Sequence, residues 1–385
     1  MANKVGRIVV AAHIGVVLHD FSTGGSERIA IRLCNAWTRM GRRVTIFCGT
    51  EAGALRALVS PGVTVCCCNP ITARSPISRI LLARRLRKSI DQLAPDVLFS
   101  PGNFHLVVFA LLGRLRFTKR PVMTCKLSNP VRAGAAPQGL GRVGEWVMRI
   151  AAAPIDAFVA MSPALRAQAL TLFVTHDIHH IDEPVLDDDI AFSGQPLGDH
   201  QTPVIIGIGR LAPQKNFALS LAAFARLDPK TGARLVILGE GPLRAELVAE
   251  AHRLEIADRV DFKGYVADVK PLLAQASAFL MTSHYEGYPA VLIEAMAAGV
   301  PIVTTDCSPA IYEIVSDGVL GQVVKHPDPA AIASALAAAI ATPRADAQRI
   351  EAATARNRMG ASATAYLDWF DGLVAKADES SDGQA

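Results

Sequence analysis

The sequence predicts an α/β fold: two Rossmann-like, doubly wound domains facing a central cleft. Three observations carry this. Short β-rich runs alternate with helical patterns along almost the whole chain. The alternation breaks once, over residues 182–203, where Pro184, three consecutive Asp, Gly194, Pro196 and Gly198 crowd together. The 385 residues also exceed what a single hydrophobic core usually holds. The expected division is an N-terminal domain over 1–182, a linker over 183–203, a second domain over 204–376 and a flexible polar tail over 377–385. The last helix is expected to pack back on the first domain.

The elements follow in order from pattern and breakers. Residues 8–18 are apolar but short for a membrane span and interrupted by His13, so 7–17 reads as the first core strand. A helix is expected over 26–40, then strands over 43–48 and 63–67, a helix over 76–93 and a strand over 96–100. A helix over 105–116, a strand over 121–125, a helix over 142–153 and a strand over 157–161 complete the first half. After the linker come strands over 204–209, 234–238, 260–265, 278–281 and 301–304, with helices reaching residues 227 and 254 between the first three. The Ala-rich segment 329–342 is also well short of the roughly 20 residues a membrane span requires.

Composition narrows the class. About half the residues are hydrophobic (51%) and 19% are charged, which fits a globular protein and argues against disorder. The net charge of +4 hides an asymmetry: residues 1–180 carry 23 Lys and Arg against 8 Asp and Glu, and residues 181–385 carry 16 against 27. The basic half invites an anionic partner, whether nucleic acid, membrane surface or phosphate-rich substrate. It lacks the aromatic-interleaved basic strand that RNA-binding sheets use, so nucleic acid is not expected. The seven Cys are odd in number and show no C-x-x-C spacing. Cys66, Cys67 and Cys68 alternate faces along a strand-like run, so they read as reduced, buried thiols of a cytoplasmic protein.

Several strand-to-helix loops carry residues suited to an anionic ligand. Ser22-Thr-Gly-Gly-Ser-Glu-Arg28 follows the first strand, and Gly24 and Gly25 let backbone approach a ligand closely. It is not G-x-G-x-x-G, which argues against a dinucleotide site. In Gly209-Arg-Leu-Ala-Pro-Gln-Lys-Asn216, Arg210 and Lys215 can converge on one diphosphate, Arg as a planar fork and Lys as a mobile point charge. Gly239-Glu-Gly-Pro242 and Gly264-Tyr-Val266 follow further strands, and Thr304-Thr-Asp-Cys-Ser-Pro309 follows another. Ser283-His-Tyr-Glu-Gly-Tyr-Pro-Ala-Val-Leu-Ile-Glu-Ala-Met-Ala-Ala-Gly299 places Glu286 in a loop and Glu294 on a helix starting near Pro289. Glu294 then stands roughly 7.5 Å along the axis, at about 1.5 Å per residue. The two carboxylates can grip opposite ends of one extended ligand, with the free amides of the first helical turn between them. Taken alone, the two Glu fit an ordinary loop carboxylate and an exposed helical Glu equally well. Asp187-Asp-Asp189 contains D-x-D but sits in the linker, and it reads as a solvated acidic turn rather than a metal site.

These motifs fall in the order of the retaining glycosyltransferases of family 4, which the chain resembles over nearly its whole length and most densely after residue 204. The resemblance implies the GT-B fold and a metal-independent hexosyltransferase that needs no cofactor. It implies that Glu286 contacts the donor sugar, Glu294 the ribose, and Arg210 and Lys215 the diphosphate of a UDP- or GDP-sugar. Gly239 and Gly241, with Gly287, Tyr288, Ala290 and Val291, are expected beside the donor, and Tyr265 or Val266 at its base. Gly24, Gly25 and Arg28 are expected near the donor phosphates and the acceptor. Many members carry a His in a cleft loop of the first half. Here that region reads Cys125-Lys-Leu-Ser-Asn-Pro130, so Asn129, Asn103 and His105 are the acceptor-side candidates.

The expected reaction moves a hexose-type sugar, with retention, to a hydroxyl of a lipid-linked, polysaccharide or glycolipid acceptor in cell-envelope synthesis, lipopolysaccharide included. The basic, partly apolar run over 79–88 and the patch over 114–120 point to peripheral binding at the anionic inner face of the membrane. The alternatives are a sugar-nucleotide epimerase of the same architecture and a non-catalytic sugar-binding module.

Overall fold

The computed structural model describes residues 10–129, 141–190, 202–315 and 320–382. The chain begins with β1 (His13–Leu18), α1 (Gly25–Arg39), β2 (Arg43–Cys48), β3 (Thr64–Cys67) and α2 (Ser78–Leu93). There follow β4 (Val97–Ser100), α3 (Leu106–Leu112), β5 (Val122–Leu127), α4 (Gly141–Ala152), β6 (Ala157–Ala160), α5 (Pro163–Leu172) and β7 (Asp177–His180). The next run is β8 (Val204–Ile208), α6 (Phe217–Phe224), β9 (Arg234–Leu238), α7 (Arg244–Arg253), β10 (Val260–Gly264), α8 (Lys270–Leu273) and β11 (Ala278–Met281). The last elements are α9 (Ala290–Ala297), β12 (Ile302–Thr305), α10 (Ile311–Ile314), β13 (Gly321–Val324), α11 (Pro329–Ala341), α12 (Ala347–Thr354) and α13 (Met359–Asp382).

Two compact units result, one of residues 1–184 with 359–385 and one of residues 185–358. The first unit holds a seven-stranded sheet, ordered β3-β2-β1-β4-β5-β6-β7. Its strand pairs are parallel. Order reverses between β1 and β4, so the loops leaving these two strands lie side by side at the carboxyl end, where such sheets take ligands. The second unit repeats the logic in a six-stranded parallel sheet, β10-β9-β8-β11-β12-β13, with the reversal between β8 and β11.

Burial explains the elements. In α1, Ile29, Ala30, Leu33, Cys34, Ala36 and Trp37 recur at helical spacing and are buried against the sheet. In the second unit, Phe217, Leu221 and Phe224 of α6 pack with Ile205, Leu235 and Ile237 of the sheet and with Ile332 and Leu336 of α11. Helix α13 closes the first unit: Tyr366 and Phe370 meet Trp37 and Phe99 edge to face, with ring centroids 5.5–5.9 Å apart. The indole of Trp37 donates to the Ala363 carbonyl at 3.2 Å. Asp371 accepts from the Ala11 amide and from Arg42, each at 2.7 Å.

Differences from the sequence expectation have local causes. The expected helix over 105–116 is a 3-10 turn, Asn103–His105, followed by α3, which stops at Leu112 before Gly113. The strand expected to stop at 125 continues to Leu127, because the charge of Lys126 is matched by buried Glu183 at 2.7 and 2.9 Å. Helix α5 is capped by Ser162, whose hydroxyl accepts from Leu165 N with Pro163 in the first turn. Helix α13 runs on to Asp382, through residues read as tail; residues 383–385 lie outside the described set, as do 191–201 of the linker reading. All seven cysteines are free; five are buried, while Cys66 and Cys67 are half-buried.

Candidate active site

In the second unit the loops at the carboxyl ends of β8, β9 and β10 are tied by backbone. Gly209 N donates to Leu238 O at 2.9 Å, Leu211 N to Glu240 O at 2.9 Å and Gly239 N to Gly264 O at 2.7 Å. Glycine is required in this lacing: Gly239 has φ +143°, and a side chain there would land on the Gly209 carbonyl. A Cβ on Gly241 would likewise strike Leu211. Gly264, at φ +74°, turns the chain out of β10 toward exposed Tyr265 and half-buried Val266.

The β8 and β11 loops are joined next. His284 N donates to Gln214 O at 2.8 Å, and Gln214 Nε2 to Tyr285 O at 2.9 Å. Lys215 Nζ then reaches Glu286 Oε1 at 2.6 Å, with both side chains largely shielded from solvent. Arg210 is exposed, and its guanidinium has no partner among the described residues. The two cations expected on one diphosphate are therefore differently engaged in the protein itself: Lys215 holds Glu286 and Arg210 is uncommitted.

Glu286 is fixed from the other side by the loop after β12. Its amide donates to Cys307 O at 2.6 Å, the Ser308 hydroxyl bonds the Gly287 carbonyl, and Thr305 Oγ1 donates to Ser283 O at 2.8 Å. Burial pushes the Cys307 thiol up to about 11, helped by the adjacent Glu286 carboxylate, so it stays neutral. Tyr288 is 8% exposed and its hydroxyl accepts from Asn357 at 2.9 Å. Helix α9 starts at Ala290, with Pro289 as its cap, and its apolar face of Leu292, Ile293, Ala295 and Met296 is buried, leaving Ala290, Val291 and Glu294 half-buried. Arg344 fixes the far end by donating to Ala298 O, Ala276 O and Ala274 O at 2.7–3.0 Å.

In the first unit, Gly24 caps α1 and Gly25 opens it, with no atom within 4 Å of where a Cβ on Gly25 would stand. Arg28 is half-buried in the first turn of α1. Asn103 joins the β4 and β5 loops: its Oδ1 accepts from Ser128 N at 2.7 Å, and its Nδ2 donates to Asn129 O at 3.2 Å. A Cβ on Gly102 would meet Ser128 and then Ser26, so the Gly24-Gly25 loop and the Asn103 loop adjoin. Asn129 is exposed and His105 is buried.

Sequence reasoning passed over the residues that position these candidates. Cys307 and Ser308 belong to the loop over 304–309, which is expected at the same site as a whole with no role for either residue, and Asn357 carried no signal. His19, Asp20, Arg74 and Phe104 also went unremarked. Asp20 is 5% exposed, and Arg74 grips it at 2.5 and 3.0 Å. Burial alone would raise the Asp20 carboxyl, but hydrogen bonds from Arg74 and Ser22 hold it down at about 2. Asp187 of the acidic turn pairs with Lys270 at 3.0 Å. A cavity of about 460 Å³, lined by Arg149, Ile155, Phe173 and His176 among others, lies at the opposite end of the first sheet from these loops.

Comparison with known proteins gives this geometry a context. Residues 190–356 match the model of "Glycosyl transferases group 1", and residues 23–185 match "Glycosyltransferase Family 4". The lipopolysaccharide core biosynthesis glycosyltransferase LpsD of Rhizobium meliloti is 26% identical over 380 residues, covering 93% of this chain and 98% of its own. An N-acetylgalactosaminyltransferase of Campylobacter jejuni that acts on N-acetylgalactosamine-N,N'-diacetylbacillosaminyl-diphospho-undecaprenol is 28% identical, over 60% of this chain and 54% of its own length. Among solved structures, Anabaena HepE in complex with UDP-glucose superposes with a TM-score of 0.69 at 19% identity, covering 96% of this chain and 99% of that one. With both units matched in order and the fold shared, the chain belongs to the group 1, family 4 glycosyltransferases of the GT-B fold.

Proposed function

We propose that the protein is a retaining, metal-independent hexosyltransferase that moves a sugar from a nucleotide diphosphate to a hydroxyl of a lipid-linked or polysaccharide acceptor. The observation that carries this is the Lys215–Glu286 pair, held between the β8, β11 and β12 loops at the start of α9. In this reading Glu286 orients the donor sugar, and Arg210 with Lys215 meets the charge that grows on the departing diphosphate. Preorganised donors of that kind are worth roughly 3 to 4 kcal/mol each. Glu294 takes the ribose, Gly239 and Gly241 flank the nucleotide, and Tyr265 and Val266 border the base. Gly287, Tyr288, Ala290 and Val291 line the sugar and phosphate side. Gly24, Gly25 and Arg28 serve the phosphates and the acceptor, with Asn103, His105 and Asn129 on the acceptor side. The UDP-glucose bound by HepE and the undecaprenyl diphosphate named for the Campylobacter enzyme support a UDP-sugar donor and a lipid-diphosphate acceptor.

The test is nucleotide-diphosphate release against a panel of UDP- and GDP-sugars, with the anomeric configuration of the product read by NMR. Wild type turns over one donor with retention, and Glu286→Ala loses at least about a hundredfold in turnover. An inverted product or an unaffected Glu286→Ala would remove the assignment, and isomerised donor without transfer would favour the epimerase.

A cytoplasmic protein docked on the inner membrane face is part of the same proposal. Among the described residues no helix is long and apolar enough to cross a membrane. The cations of α2 are partly engaged within the unit, Arg85 on the Pro70 and Ile71 carbonyls and Arg87 on the Arg116 carbonyl. Helix α4 adds an apolar surface, with Trp146 63%, Val147 51% and Ile150 42% exposed, next to Arg149 and Arg114, which likewise bond carbonyls of the unit, those of Leu172 and Ile150. Exposed aromatic and aliphatic residues flanked by cations suit an anionic bilayer.

A further inference from the structure

Lys215 is held at three points, and the lowest of them lies in the core beneath the site. Its ammonium meets Glu286 at 2.6 Å. Its methylene stem lies across Gly209, where a Cβ would stand 3.0–3.2 Å from Cγ, Cδ and Cε of Lys215. At its root, the backbone leaves the 3-10 turn Pro213–Lys215 through Asn216, which sits in the left-handed region at φ +48°. A residue with a Cβ seldom adopts that conformation, so the surroundings have to hold it. The Asn216 side chain makes no capping bond to α6. The hold falls on its carbonyl, which accepts from Leu219 N at 3.0 Å and from Thr282 Oγ1 at 2.9 Å.

Thr282, directly after β11, is 2% exposed, and Ser220 of α6 is 1% exposed. Their hydroxyls stand 2.7 Å apart. The direction of each bond follows from the acceptors: a carbonyl has no proton to give, so Thr282 donates to Asn216 O and its own oxygen accepts from Ser220. A buried chain of hydroxyls thus runs from Ser220 through Thr282 to the carbonyl next to Lys215. Its surroundings are apolar, with Ala278 to Met281 wholly buried on one side and Phe217, Leu221, Ala223 and Phe224 of α6 on the other. Valine and alanine would serve that packing as well, because a buried hydroxyl costs free energy unless it is bonded. Thr282 is fixed in its turn by the sheet: β11 pairs with β8, and Thr305 at the end of β12 donates to the Ser283 carbonyl at 2.8 Å.

We infer that Thr282 and Ser220 are positioning residues for Lys215, fixing the root of its side chain so that the ammonium stands ready where the donor diphosphate binds. This rests on the glycosyltransferase reading, in which Lys215 meets that diphosphate, and adds what aims it. Both hydroxyls are closed off from solvent and touch no ligand; they act through the Asn216 carbonyl alone. Without them Asn216 is free to leave its left-handed conformation, the lysine root moves with it, and a cation that was placed in advance has to be ordered when the ligand arrives.

The experiment titrates the full chain with UDP and with GDP by calorimetry and follows the tighter of the two through a set of variants. Thr282→Val keeps the volume and loses the donor, and it is expected to weaken binding about five- to tenfold, the worth of one hydrogen bond. Ser220→Ala, one bond further from the lysine, is expected to weaken it about threefold, and Thr282→Ser, which restores the hydroxyl, to bind within about twofold of wild type. The deciding comparison is a cycle with Lys215→Ala. If Thr282 acts through Lys215, adding Thr282→Val to Lys215→Ala changes affinity by less than about twofold, whereas a merely structural role costs the same factor in both backgrounds. If Thr282→Val does not fold, Ser220→Ala carries the same cycle. An equal loss with and without Lys215, a Thr282→Ser as weak as Thr282→Val, or no loss at all overturns the inference and leaves the transferase reading standing. Absence of both UDP and GDP binding in wild type strikes the transferase reading itself, and the inference with it.

Discussion

Lys126 is 1% exposed on a strand inside the first sheet, and an ammonium there is tolerable only because Glu183 meets it with both carboxylate oxygens. Removing one partner of such a pair strands the other charge and typically costs about 3–5 kcal/mol, whereas removing both can be nearly neutral. Lys126→Met is therefore expected to lower the melting temperature sharply, and Lys126→Met with Glu183→Leu to recover most of the loss, as read by thermal unfolding. A double variant as damaged as the single one would contradict this. His105 makes a second prediction at the same scale. Its folded pKa is depressed from 6.5 to about 3, by burial first and then by neighbouring His19, Arg74 and Arg79, against the opposing pull of Asp20. Between those values the unfolded chain binds more protons than the folded one, so stability falls as pH drops from about 6.5 toward 3. The slope is at most about 1.4 kcal/mol per pH unit per group. His105→Gln is expected to flatten that decline, and parallel melting-temperature profiles for the two proteins would rule it out.

Among the elements, α13 shows what pattern can and cannot disclose. Its apolar positions are plain in the sequence, and the destination of Tyr366 and Phe370, on Trp37 and Phe99, follows from packing more than 250 residues apart in the chain. Phe370→Ala is expected to destabilise the first unit by about 3–5 kcal/mol, seen as an earlier loss of Trp37 fluorescence blue shift on urea titration, with the second unit unaffected. Strands over 43–48, 234–238 and 278–281 are legible to the residue because each is an apolar run between breakers or helix ends. Strand β7 is not, since Asp177-Ile-His-His buries only Ile178 fully at the sheet edge. At the candidate site, Gly239 and Gly241 signal close backbone contact by being glycine. The Lys215–Glu286 contact spans 71 positions, and only the adjacency of β8 and β11 brings it about.

At the scale of the whole molecule, the charge asymmetry is the property most visible in the sequence, with the excess of cations in residues 1–180. Vesicles containing anionic lipid are expected to bind the protein at low salt and release it progressively as ionic strength rises. Trp146→Ala with Val147→Ser and Ile150→Ser should weaken binding at least about tenfold, since each fully buried aliphatic side chain contributes about 1.5–3 kcal/mol. No binding at any salt concentration would sink the membrane proposal. What composition cannot reveal is how the chain is shared between the units.

That sharing bears on how the protein is made. The second unit is one uninterrupted stretch, residues 185–358, and all of its sequence has left the ribosome before the last piece of the first unit appears. Until α13 emerges, Trp37 and Phe99 lack the rings of Tyr366 and Phe370 that cover them. The unit that begins synthesis first is thus the one completed last, and nascent chains halted before residue 359 carry an open aromatic face that invites chaperone binding.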